Sequence, residues 1–327
     1  MCATSYLPML EDMIKVNELT RIYGGFTAVD DLSFTIRPGR VTGFLGPNGA
    51  GKTTAMRMIA GLTTPSHGEA TIGGYHYHDI VNPGRHVGVL LDASAQHAGR
   101  TGREILAIGA KTMGLPATRV DEMLAAVSLT ESESKRKLRN YSLGMKQRLG
   151  IAHALLGDPA VLILDEPANG LDPAGIRWMR DLLKGYARRG GTVLLSSHLL
   201  NEVELVADEL ILIGRGKIVA QGDMKTLSSL DAADSSLVRA VDNQALVAAL
   251  AREGHQATPE GDGFRVAAST TDVSRVSVEH RVLLTDLRSG AKGLEDLFLE
   301  LTSPTQREGA STPDSRDAVS TSKEFSR

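Results

Sequence analysis

The chain has 327 residues, a net charge of −3 from 36 Lys and Arg against 39 Asp and Glu, and one cysteine, Cys2. That length accommodates about two domains and a large core, and basic residues scattered along the chain leave no footprint for nucleic acid. One cysteine excludes an internal disulfide framework and agrees with a reducing cytosol.

Residues 1–10 are mildly apolar but carry no basic leader, no full-length apolar core and no clear cleavage pattern, so no export signal is expected there. Nor does any run approach the roughly 18 to 20 apolar residues that a spanning helix needs. Arg21-Ile22-Tyr23-Gly24-Gly25 then precedes residues 28–36, whose later part alternates as a strand does. Val41–Leu45, short and largely apolar, suits a buried strand, and residues 54–62 carry Ala55, Met56, Ile59, Ala60 and Leu62 at helical spacing. Between them lies Gly46-Pro47-Asn48-Gly49-Ala50-Gly51-Lys52-Thr53-Thr54, which matches the G-x-x-x-x-G-K-[ST] pattern. Glycines there let backbone N–H groups turn inward around an anion. The anion then sits at a helix N-terminus, where unpaired donors and the positive dipole end favour negative charge. Lys52 is expected to reach the β and γ phosphates of a nucleotide, and Thr53 to ligate magnesium.

Residues 96–156 read as mostly helical, with Gly114-Leu115-Pro116 as punctuation. Ser142 suits the N-cap of a helix running to about Leu156, with Met145, Leu149, Ala152, Leu155 and Leu156 on its apolar side. Val161-Leu162-Ile163-Leu164 is continuously aliphatic, as a parallel strand buried on both faces requires, and Asp165-Glu166 stands at its end, where such sheets bind ligands. Asp165 would hold magnesium through water, and Glu166 would orient or deprotonate the water attacking the γ phosphate. Two carboxylates after a strand can also simply begin a helix. A third strand, Thr192–Ser197, ends at His198; by itself a histidine there is more often a solvated or core residue than a catalytic one. A helical stretch at 199–207 and a hairpin of residues 210–213 and 217–220 around Gly214-Arg215-Gly216 follow.

Between the phosphate loop and the acidic strand lies Tyr141-Ser142-Leu143-Gly144-Met145-Lys146-Gln147-Arg148, a Ser-x-Gly turn opening a helix. That order resembles ABC-type ATPases. The resemblance implies an α/β P-loop NTPase with a mostly parallel core sheet, an N-terminal antiparallel β subdomain and a helical subdomain at about 96–156 that docks on a membrane partner. It implies ATP and Mg2+ as cofactors, ATP hydrolysis, Tyr23 stacked on adenine, and His198 as a switch contacting the γ phosphate. A tyrosine packing at a sheet edge is the alternative for Tyr23. Asn169-Gly170-Leu171-Asp172-Pro173 resembles the loop that signals across a dimer through Asp172. Val87-Gly88-Val89-Leu90-Leu91-Asp92 places Asp92 where a glutamine usually stands near the metal, with Gln96 as a substitute four residues on. An ionised Asp only accepts hydrogen bonds, whereas Gln also donates.

The signature itself departs from Leu-Ser-Gly-Gly-Gln in lacking the first Gly and the Gln, which leaves Ser142, Gly144 and helix-terminal donors to grip a nucleotide. Both departures resemble the ATPase subunits of bacterial drug and antibiotic exporters of the daunorubicin-resistance and bacitracin-resistance kind. Each ATP in that arrangement is held by the phosphate loop of one subunit and the signature of another. One cassette per chain therefore implies a homodimer with separate permease subunits, cytoplasmic and peripheral on the inner face of the membrane, with membrane contact only through the permease and no nucleic acid bound. The alternative is a soluble ABC ATPase acting on nucleic acid or the ribosome.

The expected division is an extension at 1–15, the ATPase domain at 16–222, a small accessory α/β domain at 223–302 and a disordered tail at 303–327. Within the accessory part, residues 236–241, 264–267 and 282–287 read as strands, 244–252 as a helix, and 294–301 as a final amphipathic helix.

Overall fold

The computed structural model describes residues 12–224, 227 and 235–290. Residues 1–10, Cys2 among them, the helix expected at 294–301 and the tail at 303–327 lie outside the described residues. The chain begins with β1 (Ile14–Tyr23), β2 (Phe26–Ile36), β3 (Val41–Leu45), α1 (Lys52–Ile59), β4 (His67–Ile72) and β5 (Val87–Leu90). A helical region holds α2 (Gly102–Thr112), α3 (Thr118–Ala126), the single turn α4 (Glu131–Ser134) and α5 (Leu143–Leu155). Next come β6 (Val161–Leu164), α6 (Pro173–Arg188), β7 (Thr192–Ser197), α7 (Leu200–Glu204), β8 (Glu209–Gly214) and β9 (Lys217–Asp223).

A six-stranded sheet in the order β5-β6-β7-β3-β8-β9 forms the centre; every pairing is parallel except the β8–β9 hairpin at its edge. Every residue of β3, β6 and β7 is buried, because layers cover both faces of this sheet. On one face lies the antiparallel sheet β2-β1-β4, whose Ile14, Val16, Leu32, Phe34 and Ile36 pack with Phe44, Met56 and Ile211. Leu106, Leu124, Leu149, Leu183 and Val203 join Leu45, Leu162 and Leu195 in the core of the other face. The strands therefore end together in a seam between two layers, with the β3–α1 loop at the middle.

Helix α1 stops at Ile59 rather than at Leu62. Gly61 takes φ +67°, its N–H donates to Met58 O and the Leu62 N–H donates to Arg57 O at 2.8 Å, a Schellman close that turns the chain and leaves Leu62 exposed. Helix α7 is shorter than the expected stretch as well. Where α3 ends, Trp178 of α6 donates its Nε1–H to Ala126 O at 3.2 Å, Arg148 of α5 donates to Val127 O at 2.9 Å, and the Arg148 guanidinium stacks 4.5 Å over the Trp178 ring. Among the described residues no helix is long and apolar enough to cross a membrane.

The remainder is β10 (Ser236–Ala240), α8 (Asn243–Arg252), β11 (Ala257–Glu260), β12 (Gly263–Val266), α9 (Thr270–Glu279) and β13 (Leu284–Ser289). The strands form an antiparallel sheet in the order β11-β12-β10-β13, a βαββαβ unit with its own core of Val238, Leu246, Leu250, Val266, Val273 and Val276. The last strand lies two residues later than the sequence suggests. Helix α9 was not expected, since Thr270, Thr271, Val273, Val276 and Val278 are β-branched; burial of Val273 and Val276 and a Ser269 cap on the Asp272 N–H outweigh that weak propensity. Nor was β11, which carries Pro259 on an outer strand, where a missing N–H is tolerated.

Candidate functional site

The loop from Gly46 to Gly51 closes on itself tightly. The Ala50 N–H donates to Pro47 O at 3.1 Å and the Gly46 N–H to Ser197 O at 3.4 Å, so the loop leans on the end of β7. A Cβ at Gly46 would lie 2.3 Å from Ile213 O, and Gly51, at φ +107°, would place one 2.5 Å from Ala28 O. Pro47 is half-buried, Asn48 and Gly49 are exposed at the crest, and Ala50 is buried. Gly51 caps α1 without a side-chain hydrogen bond and the first turn carries no acid, so its amide end, with Thr53 exposed and Thr54 half-buried, is left for an anion.

Lys52 folds back under this loop: Nζ donates to Gly46 O at 2.7 Å and to Pro47 O at 3.3 Å, and stands 3.6 Å from Glu166 Oε1. Its side chain is only 6% exposed, and that burial lowers its pKa from the ordinary lysine value, against the opposing pull of Glu166 and Asp165. A buried ammonium with carbonyls as its nearest partners is poised for a stronger anion.

The carboxylates after β6 are held from three sides. Thr53 Oγ1 donates to Asp165 Oδ2 at 2.5 Å, Ser196 Oγ donates to Asp165 Oδ1, and the Asp165 N–H donates to Leu90 O at 2.7 Å. Glu166 adopts φ +48°, a left-handed conformation uncommon for a residue with a Cβ. Its N–H donates to Ser196 Oγ at 3.0 Å, and its Oε2 lies 2.8 Å from His198 Nδ1. Beyond His198, burial raises the pKa of Glu202, whose carboxylate faces Ser197 Oγ at 3.5 Å. Lys52, Thr53, Asp165, Glu166 and His198 thus converge on one point beside the loop.

The other expected residues stand outside that group. Tyr23, 44% exposed, ends β1 with the Arg21 guanidinium 4.4 Å over one face of its ring, and Arg21 is pinned by a 2.7 Å bond to Thr64 O. Asp92 is exposed, and its carboxylate turns back to accept from the Ser94 N–H at 2.7 Å and Ser94 Oγ at 2.5 Å, bonds that lower its pKa. It makes no hydrogen bond to Thr53 or Asp165, and Gln96 joins none of these contacts. Ser142 caps α5, accepting from the Met145 N–H at 3.2 Å, and Asp172 caps α6, accepting from the Gly175 N–H at 2.9 Å. Gly144 presses on the intervening loop, where a Cβ would lie 2.8 Å from Gly170 O. Ser142, Gly144 and Asp172 therefore share a second edge.

Two residues connect these parts and were not picked out from the sequence. Ser196 bridges Asp165 and the Glu166 backbone, and Gln147 of α5 donates Nε2–H to Glu166 O at 2.8 Å. The signal for Ser196 was present, as a hydroxyl in a fully buried strand needs a partner. Gln147 gave none, because nothing in the sequence says which side of α5 meets the acidic strand. Among the described residues no cluster of three or more His, Cys, Asp or Glu forms a ready metal cage.

The family model described as ABC transporter matches residues 29–169. The chain is 37% identical over 305 residues to an uncharacterized ABC transporter ATP-binding protein, YhcH, of Bacillus subtilis, covering 91% of this chain and 99% of that protein. It is 42% identical over 218 residues to the bacitracin transport ATP-binding protein BcrA of Bacillus licheniformis, covering 65% of this chain and 70% of that one. Among solved structures, one described as the ATP binding subunit of an ABC transporter aligns with a TM-score of 0.61 at 28% identity, over 67% of this chain and 92% of that chain.

Proposed function

The chain belongs to the ABC transporter family of ATP-binding proteins, and on that premise we propose that two copies of it close around two ATP molecules to power a separate membrane permease that exports a drug or antibiotic. One observation carries the reading: Glu166 reaches toward Lys52 with one carboxylate oxygen and toward His198 with the other, beside the phosphate loop. Lys52 binds the β and γ phosphates with the amides of Asn48, Gly49, Gly51, Thr53 and Thr54 around them, while Gly46, Pro47 and Ala50 shape the loop through their own backbone bonds. Glu166 takes the proton of the attacking water, and His198 orients Glu166 and the γ phosphate. Thr53 Oγ1 and Asp165 Oδ2, hard oxygens that hydrogen-bond each other at 2.5 Å, are of the donor type that magnesium takes; they would hold an ion arriving with the nucleotide, and that ion would neutralise phosphate charge.

Tyr23, exposed at the end of β1, stacks on adenine. Ser142 and Gly144 present the N-terminus of α5 to the nucleotide of the partner protomer, beside Asp172. Phosphate bound between protomers holds the dimer shut, and hydrolysis releases it, so nucleotide state and dimer state are linked. We assign ATP handling to the unit expected at 16–222, whose strands run from Ile14 of β1 to Asp223 of β9, and an accessory role to the part that follows, expected at 223–302, with the chain held at the cytoplasmic face of the membrane through its permease. The export reading draws on the bacitracin relative named above.

The test is to purify Glu166→Gln with saturating Mg-ATP and its candidate permease, and to measure mass by light scattering. Paired protomers support the reading; a monomeric mass, or recovery with ribosomes independent of any membrane protein, overturns it. Resistance of cells expressing the chain and permease to peptide antibiotics tests the cargo class.

A further inference from the structure

We propose that Gln147 is a positioning residue that fixes the backbone of Glu166 and ties it to the N-terminus of α5. The inference rests on Glu166 acting as the hydrolytic base. Glu166 needs support, because its φ of +48° is a conformation that residues with a Cβ seldom hold unaided. Ser196 Oγ takes its N–H at 3.0 Å, and its carbonyl accepts from Gln147 Nε2 at 2.8 Å and from the Asn169 N–H at 3.1 Å. Of these three, only Gln147 brings a side chain from a different layer. It is 4% exposed, so its amide has no solvent to fall back on and the bond is not exchanged for water.

The second half of the inference concerns where Gln147 stands. It lies five residues after Ser142, on the helix whose end meets the partner protomer's nucleotide in the reading above. The same turn is fastened to the acidic segment again, because Gly144 leaves only 2.8 Å for a Cβ before Gly170 O, and a Cβ on Gly170 would lie 2.4 Å from Leu143 Cδ2. Segment 166–170 is therefore gripped near both ends by the first turns of α5. A displacement of α5, driven by what its N-terminus binds, acts on the Glu166 carbonyl and so on the aim of its carboxylate. In a dimer this makes the base of one site responsive to the nucleotide in the other.

Steady-state kinetics on the full chain separate this from simple core packing. Gln147→Leu keeps the volume and removes the donor; turnover should fall roughly 10- to 100-fold, as for misplacement of a catalytic group, with the Kd for a fluorescent ATP analogue within about twofold of the parent. In a Glu166→Gln background the same change should reduce the residual rate by less than about twofold, since the group it positions is already gone. Equal losses in the two backgrounds, or a loss confined to KM, overturn the proposal. If Gln147→Leu unfolds, Gln147→Met, equally unable to donate but more adaptable, answers the same question. Unchanged turnover for Glu166→Gln alone would instead strike the role of Glu166 and this inference with it.

Discussion

His198 Nδ1 lies 2.8 Å from Glu166 Oε2, so the first residue after β7 grips the second residue after β6 across the strand ends. Glu166 Oε1 is left facing Lys52 Nζ at 3.6 Å. The two changes at this site should therefore separate binding from chemistry. Lys52→Ala removes the buried ammonium and should weaken ATP binding. Glu166→Gln should keep binding and lower turnover by about 10² to 10⁴ fold, the range of a lost general base. Parallel nucleotide-binding and phosphate-release assays check both, and equal turnover for Glu166→Gln and the parent removes Glu166 from its role.

Ser196 serves two neighbours, donating to Asp165 and accepting from the Glu166 N–H. Ser196→Ala leaves a buried acceptor and a buried donor without partners. We expect the magnesium concentration that half-saturates ATP binding to rise by roughly 10- to 100-fold, as when a supporting partner of a metal ligand is lost. Titration of magnesium against a fluorescent ATP analogue reads this without turnover, and an unmoved midpoint contradicts it.

Two glycines with similar φ should respond differently to alanine. Gly114, at φ +67°, has open space around its missing side chain, whereas Gly170, at φ +77°, would drive a Cβ to 2.4 Å from Leu143. Gly114→Ala should cost about 1 kcal/mol through backbone strain alone. Gly170→Ala adds a steric clash of roughly 1–3 kcal/mol on top. Urea unfolding of both variants ranks them, and a Gly114 change as damaging as the Gly170 change would refute the packing argument.

Burial lowers the pKa of His153 on α5 below its ordinary 6.5, and burial, helped by Arg85, does the same to His86. In the unfolded chain both imidazoles take up a proton near the ordinary value, while in the fold they remain neutral to lower pH. The unfolded state thus binds more protons in this window, so stability should decline as pH falls below about 6.5 and stop declining below the folded values. Urea midpoints at about pH 7.5 and 5.5 measure this, and His153→Gln should remove part of the difference.

What the sequence made legible followed from burial on both faces. Val161–Leu164 and Thr192–Ser197 could be read at once because a parallel strand between two layers admits few polar residues. The phosphate loop was equally plain, since Gly46 and Gly51 answer to carbonyls of Ile213 and Ala28 that leave no room for a Cβ, and Gly49 to a φ of +80°. Helix α9 was hidden by β-branched residues that tertiary burial overrides, and Gln147 by the three-dimensional meeting of two segments far apart in the chain. Asp92 was placed near the metal by its order among the motifs, and the Ser two residues on, which gives its carboxylate a local turn, went unread.

Trp178 is the chain's one tryptophan, and it is clasped between the Arg148 guanidinium and the Ala126 carbonyl where three helices meet. Its emission is accordingly a built-in gauge of that junction. Drawing the guanidinium off the indole, or releasing the indole N–H to water, alters intensity and colour with no dye attached. Stopped-flow fluorescence on the unmodified chain can therefore follow rearrangement of these helices through each round of ATP use.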